Sequence, residues 1–469
     1  MRKTAIALFI TTTLLFATSA FAGTWYVATA ADGGNDSNTG TSVSAPLLTI
    51  AKGVSKLTTA GDTLYVRRGT YNEFVVVWSK NGSSTGGDIV IKAYGTETPV
   101  VDVAGVSYTG SAPAAFAIDS CSYITVEGFE VRNGPEAGIR VRGSSYVTVR
   151  KNTSHGNQSF GIVATTPSAN TRGSSHHIYI DQNTVYDNVR MNSTRAGGAW
   201  TQGIGTYRVD NAYITGNTVY ENWGEGIDCV LTAGCTISGN TAWDNYGTNI
   251  YLDNATNANV DRNFCMAGKS ANAANYTRNY SGTSYGASGI AMANETYTVN
   301  GVHEMNPLNS INIRNNIAVN GKFGISYGNY EDGGGLHNTL IANNTFYGSE
   351  DMCMYLQNGT TDVHDTTTVQ NNIFYARTGR PHAYATSTHI TYGYNDWYNG
   401  NSGTSKTGPG DITSNPLLVS AGSSTATSYQ LQSTSPCINM GTTLTAVTDD
   451  YWGQSRGTTY DIGADEYVP

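Results

Sequence analysis

The chain has 469 residues, with 26 basic and 35 acidic side chains and a formal net charge of −9. That balance argues against general binding to nucleic acid or an anionic membrane surface. It leaves an acidic polysaccharide open as a partner, because local arginines or a bound cation can invert the field at one site.

Arg2 and Lys3, an apolar run from Ala5 to Phe16, and Ala20-Phe21-Ala22 read as a secretory leader over residues 1–22, with the mature chain starting at Gly23. Its removal leaves 24 basic residues against 35 acidic ones, a net charge of −11. No later stretch is long and apolar enough to span a bilayer, so a secreted or periplasmic monomer is expected. Residues 23–86 read as a starting cap. Trp25–Val27 forms a short strand, and Pro46 opens a helix with Leu47, Ile50, Ala51, Val54 and Leu57 on one face. Gly61-Asp62 then turns the chain into a strand from Thr63 to Arg67.

Residues 87–395 carry a repeat. In rows of 23, Asn217-Thr-Val-Tyr-Glu-Asn222 aligns with Asn240-Thr-Ala-Trp-Asp-Asn245 and Asn263-Phe-Cys265. Short alternating strands flank each motif and helical spacing is absent, the signature of a solenoid. The expected fold is all-β, a parallel β-helix in which each row is one coil. Side-chain amides at the bend should bond the asparagines above and below, because coils roughly 4.8 Å apart match amide-to-amide bonding. Ladder positions are Asn152, Asn183, Asn217, Asn240, Asn263, Asn316, Asn344, Asn372 and Asn395; the gap of 53 after Asn263 reads as two coils. Insertions at 189–202 and 266–288 leave the same edge of one sheet. They predict a trough three coil spacings wide, roughly 14 Å, suited to a polymer lying across the coils. Residues 396–469 are expected to close the barrel. Of the six cysteines, Cys229 and Cys235 fall at inward positions of one coil, where they either pair or stay as small buried thiols.

Three stretches, 25–41 (WYVATAADGGNDSNTGT), 60–71 (AGDTLYVRRGTY) and 87–102 (GDIVIKAYGTETPVVD), resemble the first coils of secreted right-handed β-helix proteins of the pectate-lyase-like superfamily. SPCINMG (435–441) and YDIGADEY (460–467) resemble their terminal segment. Polysaccharide lyase family 9 is the nearest branch. It builds a calcium site from an Asp before a Gly-Phe strand start and, one coil later, a Ser-Asp-Asp-Gly-Trp-Asp run. Gly224-Glu-Gly-Ile-Asp228 and Asn245-Tyr-Gly-Thr-Asn-Ile-Tyr251 are similar in register. Glu225 keeps an acid at a matching place, whereas Gly247 and Thr248 stand where that family has paired aspartates. The resemblance implies a right-handed parallel β-helix acting on polysaccharide.

Strand alternation points Ile227 and Ile250 inward and Asp228, Tyr251 and Asp253 outward, onto the trough floor. Glu225, Tyr207 and Trp223 are expected beside them, and Arg140 and Arg142 on the same face nearer the start of the chain. Sugars bind such mixtures of aromatic faces and carboxylates. A lyase on a uronate polymer would neutralise the uronate and remove a proton with Lys269, Arg208 or Arg278. A hydrolase would use Asp228 and Asp253, roughly 8 Å apart by coil geometry. A non-catalytic exported surface or matrix protein that binds glycans is the second alternative, ahead of the hydrolase. Lyase activity is the first expectation. Asp187, Glu221 and Asp244 form a column of like charges on successive coils, which either a calcium ion relieves or the side chains ease by splaying into water. Beside it, Tyr186, Tyr220 and Trp243 should stack.

Overall fold

The computed structural model describes residues 21–108, 114–168, 173–195, 200–299, 302–304, 307–330 and 333–469. All but the last two residues of the expected leader lie outside the described residues. No helix among the described residues is long and apolar enough to cross a membrane.

Three parallel sheets of 13, 11 and 12 strands run the length of a β-helix. One coil passes through all three: Glu225–Val230 in the 11-stranded sheet, Ala233–Ser238 in the 13-stranded sheet, and Thr241–Trp243 in the 12-stranded sheet. Register is kept from coil to coil, so inward rows stack like on like. Ile139, Ile162, Ile204, Ile227, Ile250, Ile290 and Ile325 form one such row, each fully buried. Close packing of identical branched side chains at coil spacing supplies the apolar core.

All nine expected asparagines form a single ladder. Asn240 is typical: its N–H and Nδ2 donate to Asn263 Oδ1 (2.9 and 3.0 Å), and Nδ2 also reaches the Ile214 carbonyl (2.8 Å). Its own Oδ1 accepts the N–H and Nδ2 of Asn217. The residue before each ladder position, from Lys151 to Tyr394, has φ between 53° and 65°, which bends the chain sharply between sheets. A second ladder runs through Asn157, Asn188, Asn222 and Asn245. Asp187, Glu221 and Asp244 hold the equivalent left-handed corner before it, each at φ 50°.

Three sequence expectations change. The helix spans Ile50–Lys56, capped by the Thr49 hydroxyl, because Leu47 is still extended and pairs with Tyr26 and Val27; Ala51 consequently faces solvent. The gap of 53 is one coil, since Asn263 bonds Asn316 directly. Its strand in the 11-stranded sheet is Ser288–Asn294, with loops on both sides. The closing segment divides its work. Asp411 accepts the Asn395 N–H and the Trp397 indole N–H at the end of the ladder. Residues 416–467 fold back along the flank of the 12-stranded sheet, where Leu418, Tyr429, Leu431, Cys437 and Ile462 cover Phe264, Met266, Ile317, Val319 and Ile373. Arg456 pins this strap through Glu466, Asn315 and the Gly463 carbonyl. Cys229 and Cys235 are joined in a disulfide; Cys121, Cys265, Cys353 and Cys437 are buried free thiols.

Replacing Asn240 with Ala strands buried partners on both neighbouring coils, each worth about 1–3 kcal/mol. The urea unfolding midpoint, followed by circular dichroism, should fall by an amount corresponding to at least about 2 kcal/mol; an unchanged midpoint would show that the ladder contributes little.

Candidate active site

The outward face of the 11-stranded sheet carries a cleft of about 700 Å³. Its floor is set by register. Along one row Val163, Gly205, Asp228, Tyr251, Ala291, Ser326 and Tyr355 are successive neighbours. A parallel row holds Gln202 and Glu225, and another Tyr207, Val230 and Asp253. Alternation thus puts Asp228, Asp253, Tyr207 and Tyr251 on one wall, as expected, with Glu225 joining them from the entry corner of its strand, and all five line the cleft.

The floor is not an open trough. Asp228 and Asp253 are only 1 % and 2 % exposed, and Tyr251 is buried as well. The two insertions meet: the Arg278 guanidinium lies 4.3 Å over the Trp200 ring, and Tyr276 packs on Trp223 at 4.7 Å. On the opposite side Glu295 and Tyr297, after the Ser288–Asn294 strand, complete the wall. Loops on both sides therefore withdraw the acids from bulk water.

Within this enclosure the Gln202 amide bridges two carboxyls, donating to Glu225 Oε2 (2.8 Å) and Asp228 Oδ2 (3.1 Å). Those oxygens are no further apart than the two bonds laid end to end, roughly 6 Å. Tyr207 orients the amide by donating to Gln202 Oε1 (2.6 Å). Tyr251 donates to Glu295 (2.6 Å), and Tyr297 donates to Asp253. Oδ1 of Asp228 and Oδ1 of Asp253 are buried without a partner among the described residues.

Burial dominates the electrostatics. It raises the Glu225 carboxyl to about 7, assisted by the Glu295 charge and opposed by the Gln202 bond and Arg278. Asp228 is pushed well above the usual carboxylate range by burial, then by Glu225, Asp253 and Glu295. Asp253 moves the same way through burial and Glu295. The cluster therefore keeps protons at neutral pH. Burial also holds Tyr207 and Tyr251 in their neutral, hydrogen-donating form.

The other expected site residues lie elsewhere. Lys269 stacks its ammonium 3.8 Å over Trp243, on the flank of the 12-stranded sheet. It is drawn there because the backbone of 268–270 donates to Asp244. Arg208 occupies the left-handed corner after the Gln202–Tyr207 strand, outside the cleft lining. Arg140 and Arg142 share the floor's face but lie further toward the start of the chain, both paired to Asp119 Oδ2 at 2.8 Å. Trp223 donates its indole N–H to Asp187 and braces the loops. Asp187, Glu221 and Asp244 do stack in a column, yet the Asp187 and Asp244 carboxylates have protein partners. Beside them His155, Tyr186, Tyr220 and Trp243 stack at 4.4–5.1 Å, as the repeat implies.

The calcium site of polysaccharide lyase family 9, whose paired aspartates are replaced here by Gly247 and Thr248, does not fit the floor. Oxygen donors are present, but an amide or hydroxyl donor is turned into each of the four carboxyls. Among the described residues no three Asp, Glu, His or Cys side chains are grouped to hold one ion. Residues absent from the sequence reading are Gln202, Glu295, Tyr297 and Lys322. Glu295 was hidden because counting its coil as two removed the Ser288–Asn294 strand from register with Thr248–Asp253.

These features define a class: a parallel β-helix with a roofed, carboxyl-lined cleft on one sheet. The profile of the Pel9A-like, right-handed β-helix region matches residues 25–344, and the chain belongs to that family. Among solved structures it is similar to pectate lyase Pel9A, at 18% identity, covering 96% of this chain and 97% of that one with a TM-score of 0.53. It is also similar to XylC, solved in complex with xylose, at 11% identity, covering 95% and 98% with a TM-score of 0.55. No curated protein matches the chain.

A Cβ on Gly205 would sit 2.8 Å from Gln202 Oε1 and 3.3 Å from the Tyr207 ring. Gly205→Ala should therefore displace the bridging amide while the fold persists, lowering turnover with little change in circular dichroism; full turnover would remove Gln202 from the machinery. A second expectation follows from the Glu225 shift. A carboxyl raised in the folded state binds a proton that the unfolded chain releases, so stability is lost as pH climbs from about 4.5 to about 7. Glu225→Gln removes that loss, and its melting temperature relative to the parent should be higher at pH 8 than at pH 4; a pH-independent difference would contradict the shift.

Proposed function

We propose that the protein is a secreted, carbohydrate-active enzyme that hydrolyses glycosidic bonds in the cleft above Glu225, Asp228 and Asp253. The observation that carries this reading is the Glu225–Asp228 pair. Two carboxyls bridged by one amide share an enclosure that raises both proton affinities. In this reading Asp228, which burial and its acidic neighbours keep protonated, serves as the acid that protonates the leaving oxygen. Glu225, raised to about 7, supplies the carboxylate once ionised, either as nucleophile or as base to a water. The unpartnered Oδ1 of Asp228 is the oxygen that carries the acid proton, and the unpartnered Oδ1 of Asp253 is left to meet a sugar hydroxyl. Tyr280, Phe323, Tyr330 and Tyr355 offer ring faces along the lining. The relatives are consistent with a carbohydrate ligand, one being named a pectate lyase and the other holding xylose.

Lyase chemistry is the second reading, favoured by one observation. Arg278 and Lys322 both line the cleft and both lie against the Tyr280 ring, at 4.8 and 3.4 Å. They are the cations that a uronate polymer would require.

Incubation with soluble xylan, polygalacturonate, alginate and β-glucan separates the readings. Hydrolysis yields reducing ends without ultraviolet absorbance from a new conjugated double bond, whereas elimination yields both. Asp228→Asn should lower the rate by about 10²–10⁴. The rate should climb as pH rises through about 7, where Glu225 ionises. Full activity of Asp228→Asn would place the chemistry elsewhere.

A further inference from the structure

A second cavity, of about 800 Å³, lies at the opening coils, where the 13- and 12-stranded sheets meet, and so on different sheets from the acids. Its floor is one outward row of the 13-stranded sheet, in which Tyr26, Tyr65, Lys92 and Glu127 are successive neighbours. Beyond the cavity that row turns ionic and then hydroxylic, through Arg150, Asp181 and Thr215. The turn over 94–98 adds a wall that is fixed from outside. Glu97 accepts both Nε and Nη2 of Arg67 (2.9–3.2 Å) and the Arg68 N–H (2.8 Å). Tyr94 sets its ring edge-on to Tyr26 and Tyr65, which stack on each other at 5.5 Å. All three rings stay partly exposed. Lys151, at the left-handed corner before the asparagine ladder, and Thr153 of the 12-stranded sheet complete the lining.

The charges of this groove do not balance. Its two carboxylates are already engaged by arginines outside the lining, Glu97 by Arg67 and Glu127 by Arg150 (2.8 Å), with Lys151 more distant from Glu127 at 3.4 Å. Lys92 has no carboxylate partner among the described residues, and its ammonium lies 5.1 Å from the centre of the Tyr65 ring. A chain of net charge −9 therefore presents, at this one place, tyrosine rings, threonine hydroxyls and an excess of ammonium groups. We propose that the groove is a second, non-catalytic glycan site, for a polysaccharide whose rings carry carboxylate or sulfate groups. The apolar faces of the sugars rest against the tyrosines, and Lys92 and Lys151 take the anionic groups. The wall is held in place before any ligand arrives, so little ordering opposes binding. Engagement here keeps the molecule on a polymer while the cleft on the 11-stranded sheet works, which raises the local concentration of substrate. Binding in the groove is independent of the chemistry at Glu225 and Asp228.

The test is native electrophoresis in gels containing polygalacturonate, dextran sulfate or neutral dextran, with migration referred to a polymer-free gel. Retardation is expected with at least one anionic polymer and not with dextran, and the polymer that retards identifies carboxylate or sulfate as the recognised group. In Lys92→Gln/Lys151→Gln the apparent Kd should rise at least about tenfold. Lys52→Gln/Lys56→Gln makes the same change of net charge on the helix outside the groove and should bind as the parent does. Circular dichroism checks that both variants fold. Three results would each overturn the proposal: no retardation of the parent by either anionic polymer, parent-like binding by the groove variant, or an equal loss in the two double variants. Equal retardation by dextran overturns the anionic assignment.

Discussion

One hydrogen-bonding arrangement underlies everything else: the asparagine column in which each amide is both donor to the coil ahead and acceptor from the coil behind. It forces successive coils into register, because an amide displaced by one residue would leave the corner and abandon two buried partners. Register in turn converts sequence spacing into spatial adjacency. Gln202, Glu225 and Thr248 are 23 residues apart in sequence and follow one another along the same edge of the floor. The left-handed residue before each amide makes the corner sharp enough for the column to form. Asp, Glu, Lys, Gln and Arg accept that conformation here because stacking on both sides overdetermines it.

The acids depend on this scaffold in a second way. Strands alone would leave their side chains in water, where carboxyls titrate normally and repel little. The insertions convert an exposed row into an enclosed one, and enclosure, more than mutual charge, is what lifts their proton affinities. The rigid solenoid supplies positions, and the loops supply the dielectric in which those positions matter.

Periodicity made much of this legible from the residues alone. The asparagine spacing identified the fold, and alternation within Gly226–Val230 and Asn249–Asp253 identified the floor, including Asp228, Tyr251 and Asp253. Loops were the part that periodicity could not reach. Lys269 and Arg278 belong to one insertion and were equal candidates in sequence. Asp244 drew the first to the flank, while Trp200 and Tyr280 received the second over the floor. Such tertiary choices have no local signal. The strap did have one: the outward corner residue is Thr at 153, 184, 218 and 241 but Phe264, Ile317 and Ile373 further on, where 416–467 covers it; Thr345, between the last two, is retained and accepts the Ala464 N–H of the strap.

That strap changes how the molecule must mature. Arg262 reaches Asp449 across 187 positions, and Asn315 reaches Arg456 across 141. A solenoid ordinarily assembles by adding one neighbour to the next, each addition local in the chain. Here the middle coils display a greasy flank from the moment they are made until 416–467 emerges and lies down on it. Assembly is thereby tied to completion of the polypeptide, and the half-built molecule is the form most exposed to aggregation and proteolysis.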